Sequence, residues 1–137
     1  MAVFYADTSA LVKLVREEAE SQALWTYLDG ADLVSSELVL TEIPRAVRRA
    51  AAREPSLPLE QLLERAGQLI DALALHPLDR ALLAGAGALA EPALRALDAI
   101  HVASAVHLDP IEAFVTYDER QAAVARLAGL RTMAPGI

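Results

Sequence analysis

Four carboxylates occupy positions where a folded chain does not ordinarily put them. Asp7 follows the apolar segment Val3-Phe4-Tyr5-Ala6, and Asp118 follows Ala113-Phe114-Val115-Thr116-Tyr117 in the same way. Both thus stand at the carboxyl end of an expected strand, and in a parallel sheet that edge is where ligands bind. Asp98 has Leu94 at i−4, Val102 at i+4 and Ala105 at i+7, while Glu42 has Leu38 at i−4 and Ala46 at i+4, so each interrupts an apolar helical stripe. A buried, unpaired carboxylate is costly or titrates to neutral, so four of them need a shared reason to stay charged. A divalent cation supplies it. Oxygen donors in a chain with no Cys and 3 His select Mg²⁺ or Mn²⁺ over zinc. Such ions orient a water and stabilise both the attacking and the leaving oxygen at a phosphodiester, so the chemistry expected is metal-dependent hydrolysis of a phosphate ester.

Each acid also has an ordinary explanation. Asp7 and Asp118 can be helix N-caps, the commonest work of an Asp after a strand. Glu42 can pair with Arg45 or Arg49, and Asp98 with His101 at i+3. Glu17, Glu18, Glu20, Glu60 and Glu64 sit among polar neighbours and read as solvated faces. What sets the four apart is that all lie at strand ends or inside apolar stripes, and whether they converge depends on the fold.

The elements that must position them alternate short apolar runs with longer helical ones, the pattern of an α/β protein with a parallel sheet. Strands are expected at Ala2–Ala6, Asp32–Ser35, Leu73–Leu78, Ala113–Tyr117 and near Arg131–Ala134. Helices are expected at Ser9–Glu17, Glu20–Leu28, Ser36–Arg53, from Leu59 onward past Ile70, and at Asp79–Leu89, Pro92–Leu108 and Glu119–Leu127. Pro44 lacks the N–H owed to Leu40, which predicts a kink or fresh start near Thr41. Gly85 and Gly87 sit in an Ala-rich helical run rather than in a phosphate-cradling loop.

With 137 residues, 55% of them hydrophobic, one domain over 1–137 is expected. Folding at that length buries roughly two thirds of the unfolded surface, enough for a core without staples. Zero Cys excludes disulfides and thiolate metal sites and fits a reducing, cytoplasmic home. Met1–Ala6 is too short for a signal peptide, and no run is long enough to span a membrane. The balance of 12 basic against 19 acidic residues, net −7, argues against broad coating of nucleic acid, so any such contact is local.

Asp7-Thr8-Ser9-Ala10-Leu11-Val12-Lys13-Leu14, then Thr41-Glu42-Ile43, then Leu94-Arg95-Ala96-Leu97-Asp98-Ala99-Ile100-His101-Val102-Ala103, then Phe114-Val115-Thr116-Tyr117-Asp118 resemble the PIN-domain ribonucleases, specifically the VapC-type toxins of bacterial toxin-antitoxin pairs. The resemblance runs from Val3 to about Pro135. It implies a three-layer α/β/α sandwich around a parallel sheet, Mg²⁺ or Mn²⁺, and endonucleolytic cleavage of RNA. Carried over by position, Asp7, Glu42, Asp98 and Asp118 match the acidic tetrad that gathers metal, Thr116 the hydroxyl near the fourth acid, and Thr8 or Ser9 the hydroxyl beside the first. A homodimer, a VapB-type antitoxin and a toxin-antitoxin hetero-oligomer are the implied partners.

Arg45 and Arg49 lie at i+3 and i+7 from Glu42, on its face, where a guanidinium fork suits an RNA phosphate; a solvated face or dimer interface is the alternative. Aromatics make up 4% of the chain, so recognition by backbone and shape is expected over stacked bases. Leu11, Val15, Trp25 and Leu28 form core or an exposed groove, and the resemblance makes that hairpin part of the groove for the antitoxin's C-terminal segment. His76, His101 and His107 show no ligand spacing and read as structural. A phosphoaspartyl phosphatase would need an acid where Ser9 stands, and a receiver domain a late Lys, whereas Lys13 is the only Lys. A binding module of the same fold without turnover is the remaining rival.

Overall fold

The computed structural model of the chain describes residues 2–137; Met1, at the start of the N-terminal apolar stretch, lies outside the described residues. Among the described residues there are five strands and seven helices. In chain order they are β1 (Val3–Ala6), α1 (Thr8–Val15), α2 (Ser21–Leu28), β2 (Asp32–Ser36), α3 (Val39–Arg53), α4 (Leu59–Ala72), β3 (Ala74–His76), α5 (Arg80–Gly87), α6 (Ala96–His107), β4 (Ala113–Val115), α7 (Glu119–Leu127) and β5 (Thr132–Met133). The strands form one sheet in the order β3-β2-β1-β4-β5, every pairing parallel.

The alternation of side chains along β1 and β4 explains the layers. Phe4, Ala6, Ala113 and Val115 face a core built with α1, α2, α3 and α4, including Leu11, Leu24, Ile43, Val47 and Leu62. Tyr5 and Phe114 point to the opposite face, where Val102, Ala105, Val124, Ala125 and Leu130 enclose them. A strand covered on both faces is expected to be apolar throughout, as β1 and β4 are. The result is the expected three-layer α/β/α sandwich.

Several element ends shift by one or two residues from expectation, and two differences bear on the site. α6 begins at Ala96 rather than Pro92, because Glu91-Pro92-Ala93-Leu94 forms a turn: Leu94 N–H donates to Glu91 O at 3.3 Å and Ala93 N–H to the Glu91 carboxylate at 2.8 Å. Leu94 is therefore outside the helix whose stripe Asp98 was read as interrupting. Pro44 causes no fresh start at Thr41; Ser36 belongs to β2, the helix begins at Val39, and Pro44 sits inside it. The carbonyl Pro44 leaves without a helical donor is that of Leu40, a half-exposed residue that water reaches.

Candidate active site

β1 ends at Ala6, and the chain turns into α1 through Asp7, which caps that helix: its Oδ1 accepts from Ala10 N–H at 3.1 Å. Its carboxylate is buried and fully engaged. Ser9 Oγ donates to Oδ1 at 2.7 Å, and Thr116 Oγ1, just beyond the adjacent β4, donates to Oδ2 at 2.5 Å. Both hydroxyls are held in turn, since Ser9 Oγ accepts from Tyr117 N–H and Thr116 Oγ1 from Asp118 N–H, each at 3.0 Å. Burial pushes the Asp7 carboxyl above its ordinary value, while nearby His101 and the donors on its oxygens pull it back. Thr116 is itself buried. Its hydroxyl bridges the Asp7 carboxylate and the Asp118 backbone N–H.

Glu42 rides on the first turn of α3. Thr8 Oγ1 donates to its Oε1 at 2.6 Å, so of the two hydroxyls expected beside the first acid, Ser9 serves Asp7 and Thr8 serves Glu42. The same Oε1 meets His101 Nε2 at 2.7 Å. His101 Nδ1 in turn lies 2.8 Å from the Tyr5 hydroxyl. Burial opposes the charge on Glu42, but His101, Thr8 and nearby Arg49 outweigh it and hold the carboxyl below its ordinary value. The alternative pairings of Glu42 with Arg45 or Arg49, and of Asp98 with His101, do not form among the described residues; Glu42 reaches across layers to α6 instead.

Asp98 and Asp118 are the more open pair. Asp98 lies in the first turn of α6; Asp118 caps α7, accepting from Arg120 N–H at 2.9 Å and Gln121 N–H at 3.3 Å. Burial and then the Asp118 carboxylate push the Asp98 carboxyl up, with Glu42 adding to the repulsion and His101 and Arg95 opposing it. Gln121, 2% exposed, links this pair to Asp7. With its amide nitrogen toward the acids, the orientation that satisfies both, it donates to Asp7 Oδ2 and Asp98 Oδ1 at 3.2 Å each. The four acids thus come to one edge of the sheet, and Asp7 and Asp118 reach it as helix caps.

The donor chemistry fits a hard divalent cation: carboxylate oxygens, no thiolate, and an Asp98 destabilised by like charges, which a cation would relieve. The side chains as they stand do not yet close around an ion, since no group of three or more His, Asp or Glu among the described residues is arranged to hold one.

His101 and Gln121 were not recognised from sequence as parts of the site. Gln121 carried a signal: Asp118-x-x-Gln121 is a capping-box spacing, but the Asp118 N–H is already taken by Thr116, which frees Gln121 to point at the acids. Arg45 and Arg49 lie exposed on α3, and neither forms an ion pair among the described residues. A cleft of about 710 Å³ opens between α1, α2, β2 and α4, with Val15, Trp25 and Leu28 in its lining together with Leu14 and Leu69. Leu11 is wholly buried in the core and takes no part in it, a correction to the expected groove; Trp25 is 51% exposed.

The sequence matches the PIN domain family over residues 4–127. Ribonuclease VapC35 of Mycobacterium tuberculosis is 36% identical over 141 residues, covering 98% of this chain and 98% of that protein. Ribonuclease VapC46 of the same organism is 38% identical over 138 residues, covering 98% and 99%. Among solved structures, VapBC2 from Rickettsia felis bound to a DNA fragment from their promoter superposes with a TM-score of 0.66 at 14% identity, over 96% of this chain and 97% of that one. PAE2754 from Pyrobaculum aerophilum gives 0.64 at 15% identity, over 96% and 83%. These two share the fold. The sandwich, the acid-bearing edge and the end-to-end identity agree: the chain belongs to the PIN-domain family, among the VapC-type ribonucleases.

Proposed function

We propose that the chain is a metal-dependent endoribonuclease toxin that hydrolyses RNA phosphodiester bonds at Asp7, Glu42, Asp98 and Asp118 and is neutralised by a VapB-type antitoxin. The observation that carries this reading is the gathering of these four acids, from four separate elements, on one edge of the sheet in a chain aligned end to end with relatives named as ribonucleases. A bound Mg²⁺ or Mn²⁺ supplies Lewis acidity at the phosphate and relief of the mutual repulsion of the acids. Asp7 presents a carboxylate that its donors keep from swinging, and Glu42 is fixed through Oε1 by Thr8 and His101. Asp98 and Asp118, less enclosed, stand where an incoming strand approaches. Arg45 and Arg49 hold the RNA backbone on the Glu42 side as phosphate ligands.

The antitoxin segment lies in the α1–α2–α4 cleft, its apolar residues against Trp25, Val15 and Leu28. A homodimer and a hetero-oligomer with the antitoxin belong to the same reading, as does a cytoplasmic location. Among the described residues no helix is long and apolar enough to cross a membrane.

The test is cleavage of labelled RNA by the purified chain with Mg²⁺ or Mn²⁺, with EDTA and Asp98→Asn as controls. Cleavage lost in both controls while Asp98→Asn stays folded supports the reading. Activity persisting in either overturns the metal mechanism, and a folded wild type that cuts no RNA leaves the non-catalytic binding module.

A further inference from the structure

We propose that His101 is a positioning residue: it fixes Glu42 by donating Nε2–H to Oε1, and the Tyr5 hydroxyl selects that tautomer by donating to Nδ1. The kinetic part rests on the ribonuclease reading above, whereas the tautomer does not.

For a ring carrying a single proton, the donor and acceptor inventory leaves one consistent assignment. A carboxylate only accepts, so the hydrogen in the 2.7 Å contact between Glu42 Oε1 and His101 Nε2 belongs to the imidazole. Tyr5 is wholly buried, keeps its proton and has Nδ1 within 2.8 Å as acceptor. The ring cannot easily turn away from either partner, being 2% exposed and packed edge-on to Tyr5 at 5.9 Å. Tyr5 is anchored in its turn, stacked on Phe114 at 5.1 Å with 11° between the planes. A rigid line therefore runs from the sheet interior through Tyr5 and His101 to Glu42.

Its effect on Glu42 is asymmetric. Thr8 and His101 both converge on Oε1, at 2.6 and 2.7 Å, while Oε2 makes no hydrogen bond among the described residues. One oxygen is locked and the other left uncommitted, the arrangement expected of a carboxylate that an outer partner orients for work. A residue there merely to balance charge would need no tautomer selector.

The experiment has two arms. In long-range ¹H–¹⁵N correlation spectra of the wild type at neutral pH, His101 should show the Nε2–H tautomer with Nδ1 unprotonated, and Tyr5→Phe should shift it to a mixture. In steady-state RNA cleavage, His101→Leu should lower kcat by about 10- to 100-fold with KM unchanged, and His101→Gln, which restores an N–H near the Nε2 position, should recover most of that loss. An Nδ1–H or doubly protonated ring in the wild type, a tautomer indifferent to Tyr5→Phe, or a Gln variant as impaired as Leu would overturn the proposal. If His101→Leu fails to fold, the comparison of His101→Gln with Tyr5→Phe takes its place: Tyr5→Phe must show the larger fall in kcat, and the reverse order overturns the proposal. A wild type that cleaves no RNA defeats the ribonuclease reading alone, because the spectra still decide on His101.

Discussion

Replacing Asp7 in two ways separates the cost of its charge from the worth of its hydrogen bonds. Asp7→Ala removes the α1 cap, a loss of about 0.5–2 kcal/mol. The Ala10 N–H is the donor lost with that cap, and beyond it one half of the Gln121 amide loses its partner. A buried donor left without a partner costs about 1–3 kcal/mol. The Ser9 and Thr116 hydroxyls are 3.4 Å apart and can turn toward each other, so they add little. Set against the relief of removing a desolvated charge, the Ala variant should be less stable by roughly 2–4 kcal/mol, or about 10 °C in Tm for a domain of this size. Asp7→Asn keeps the cap, because Asn caps as well as Asp. Its amide nitrogen takes the place of Oδ2, where Thr116 Oγ1 can accept from it but the Gln121 amide must turn over and give up its bond to Asp98. The charge is gone and the cap remains, against the loss of the Gln121–Asp98 bond, so the Asn variant should stay close to the wild type and well above the Ala variant in stability at neutral pH.

The pH dependence carries the same logic. The folded carboxyl of Asp7 lies above its ordinary value of 3.8, so the native state holds its proton longer than the unfolded chain does. Its stabilising effect is complete below that value and is lost as pH rises through the folded one. The Asn variant lacks this loss, and its stability relative to the wild type should rise with pH across that window, at no more than about 1.4 kcal/mol per pH unit, then level off. Urea unfolding followed by far-UV circular dichroism between mildly acid and neutral pH reads both quantities, and RNA cleavage should be abolished in both variants. An Asn variant as destabilised as Ala would refute the claim that the charge is held at a cost. An Ala variant within about 1 kcal/mol of wild type would refute the energetic worth of the hydrogen bonds.

Glu42 should behave with the opposite sign: its folded carboxyl lies below 4.5, so its contribution is lost as pH falls through the folded value, and Glu42→Gln should flatten that acid limb of the urea-derived stability curve. Superimposable acid limbs would refute the His101 and Thr8 account. The Arg45→Ala, Arg49→Ala double variant should lower the slope of log affinity for single-stranded RNA against log salt by about 1.4, as two lost phosphate contacts require; an unchanged slope moves both to a solvated or interface role. Trp25→Ala should fold normally, since Trp25 is 51% exposed, yet weaken the antitoxin by at least about tenfold in a titration. Undiminished affinity would place the antitoxin elsewhere.

The fold was legible in the sequence because its elements are punctuated locally. β1 and β4 are apolar runs ended by Asp7 and by Thr116, and each acid that follows opens a helix as a cap, a signal contained within a few residues. The start of α6 was not legible. Pro92 suits a helix N1 and a turn equally, and the choice was made by the Glu91 carboxylate bonding the Ala93 N–H. The acids were legible individually, whereas the network holding them was not. Glu42 to His101 spans 59 positions, Thr116 to Asp7 spans 109, and no periodicity encodes which polar side chain meets which across a sheet. Leu11 and Trp25 make the same point for the surface. Both are apolar positions in adjacent helices, and only the packing of α1 against its neighbours sends one into the core and leaves the other half in water.

Cap and site were alternatives only on paper, and the physical reason is the same for all four acids. Asp7 and Asp118 cap α1 and α7, while Glu42 and Asp98 occupy the first turns of α3 and α6. Each carboxylate thus stands at the amino end of a helix, where unpaired N–H groups carry a positive partial charge equivalent to roughly half a unit. A parallel sheet crossed by helices brings those ends to the carboxyl edge of the strands as a matter of topology. The fold therefore offers the four acids about two units of fixed positive charge, which leaves the cluster under-compensated rather than forbidden. Asp98 shows the residue of that deficit, displaced upward by burial, Asp118 and Glu42 despite its place on the first turn of α6. On the metal-dependent reading proposed above, acids compensated fully by the protein would have no need of a cation, and acids not compensated at all would protonate or unfold; the helix ends hold this edge between those limits.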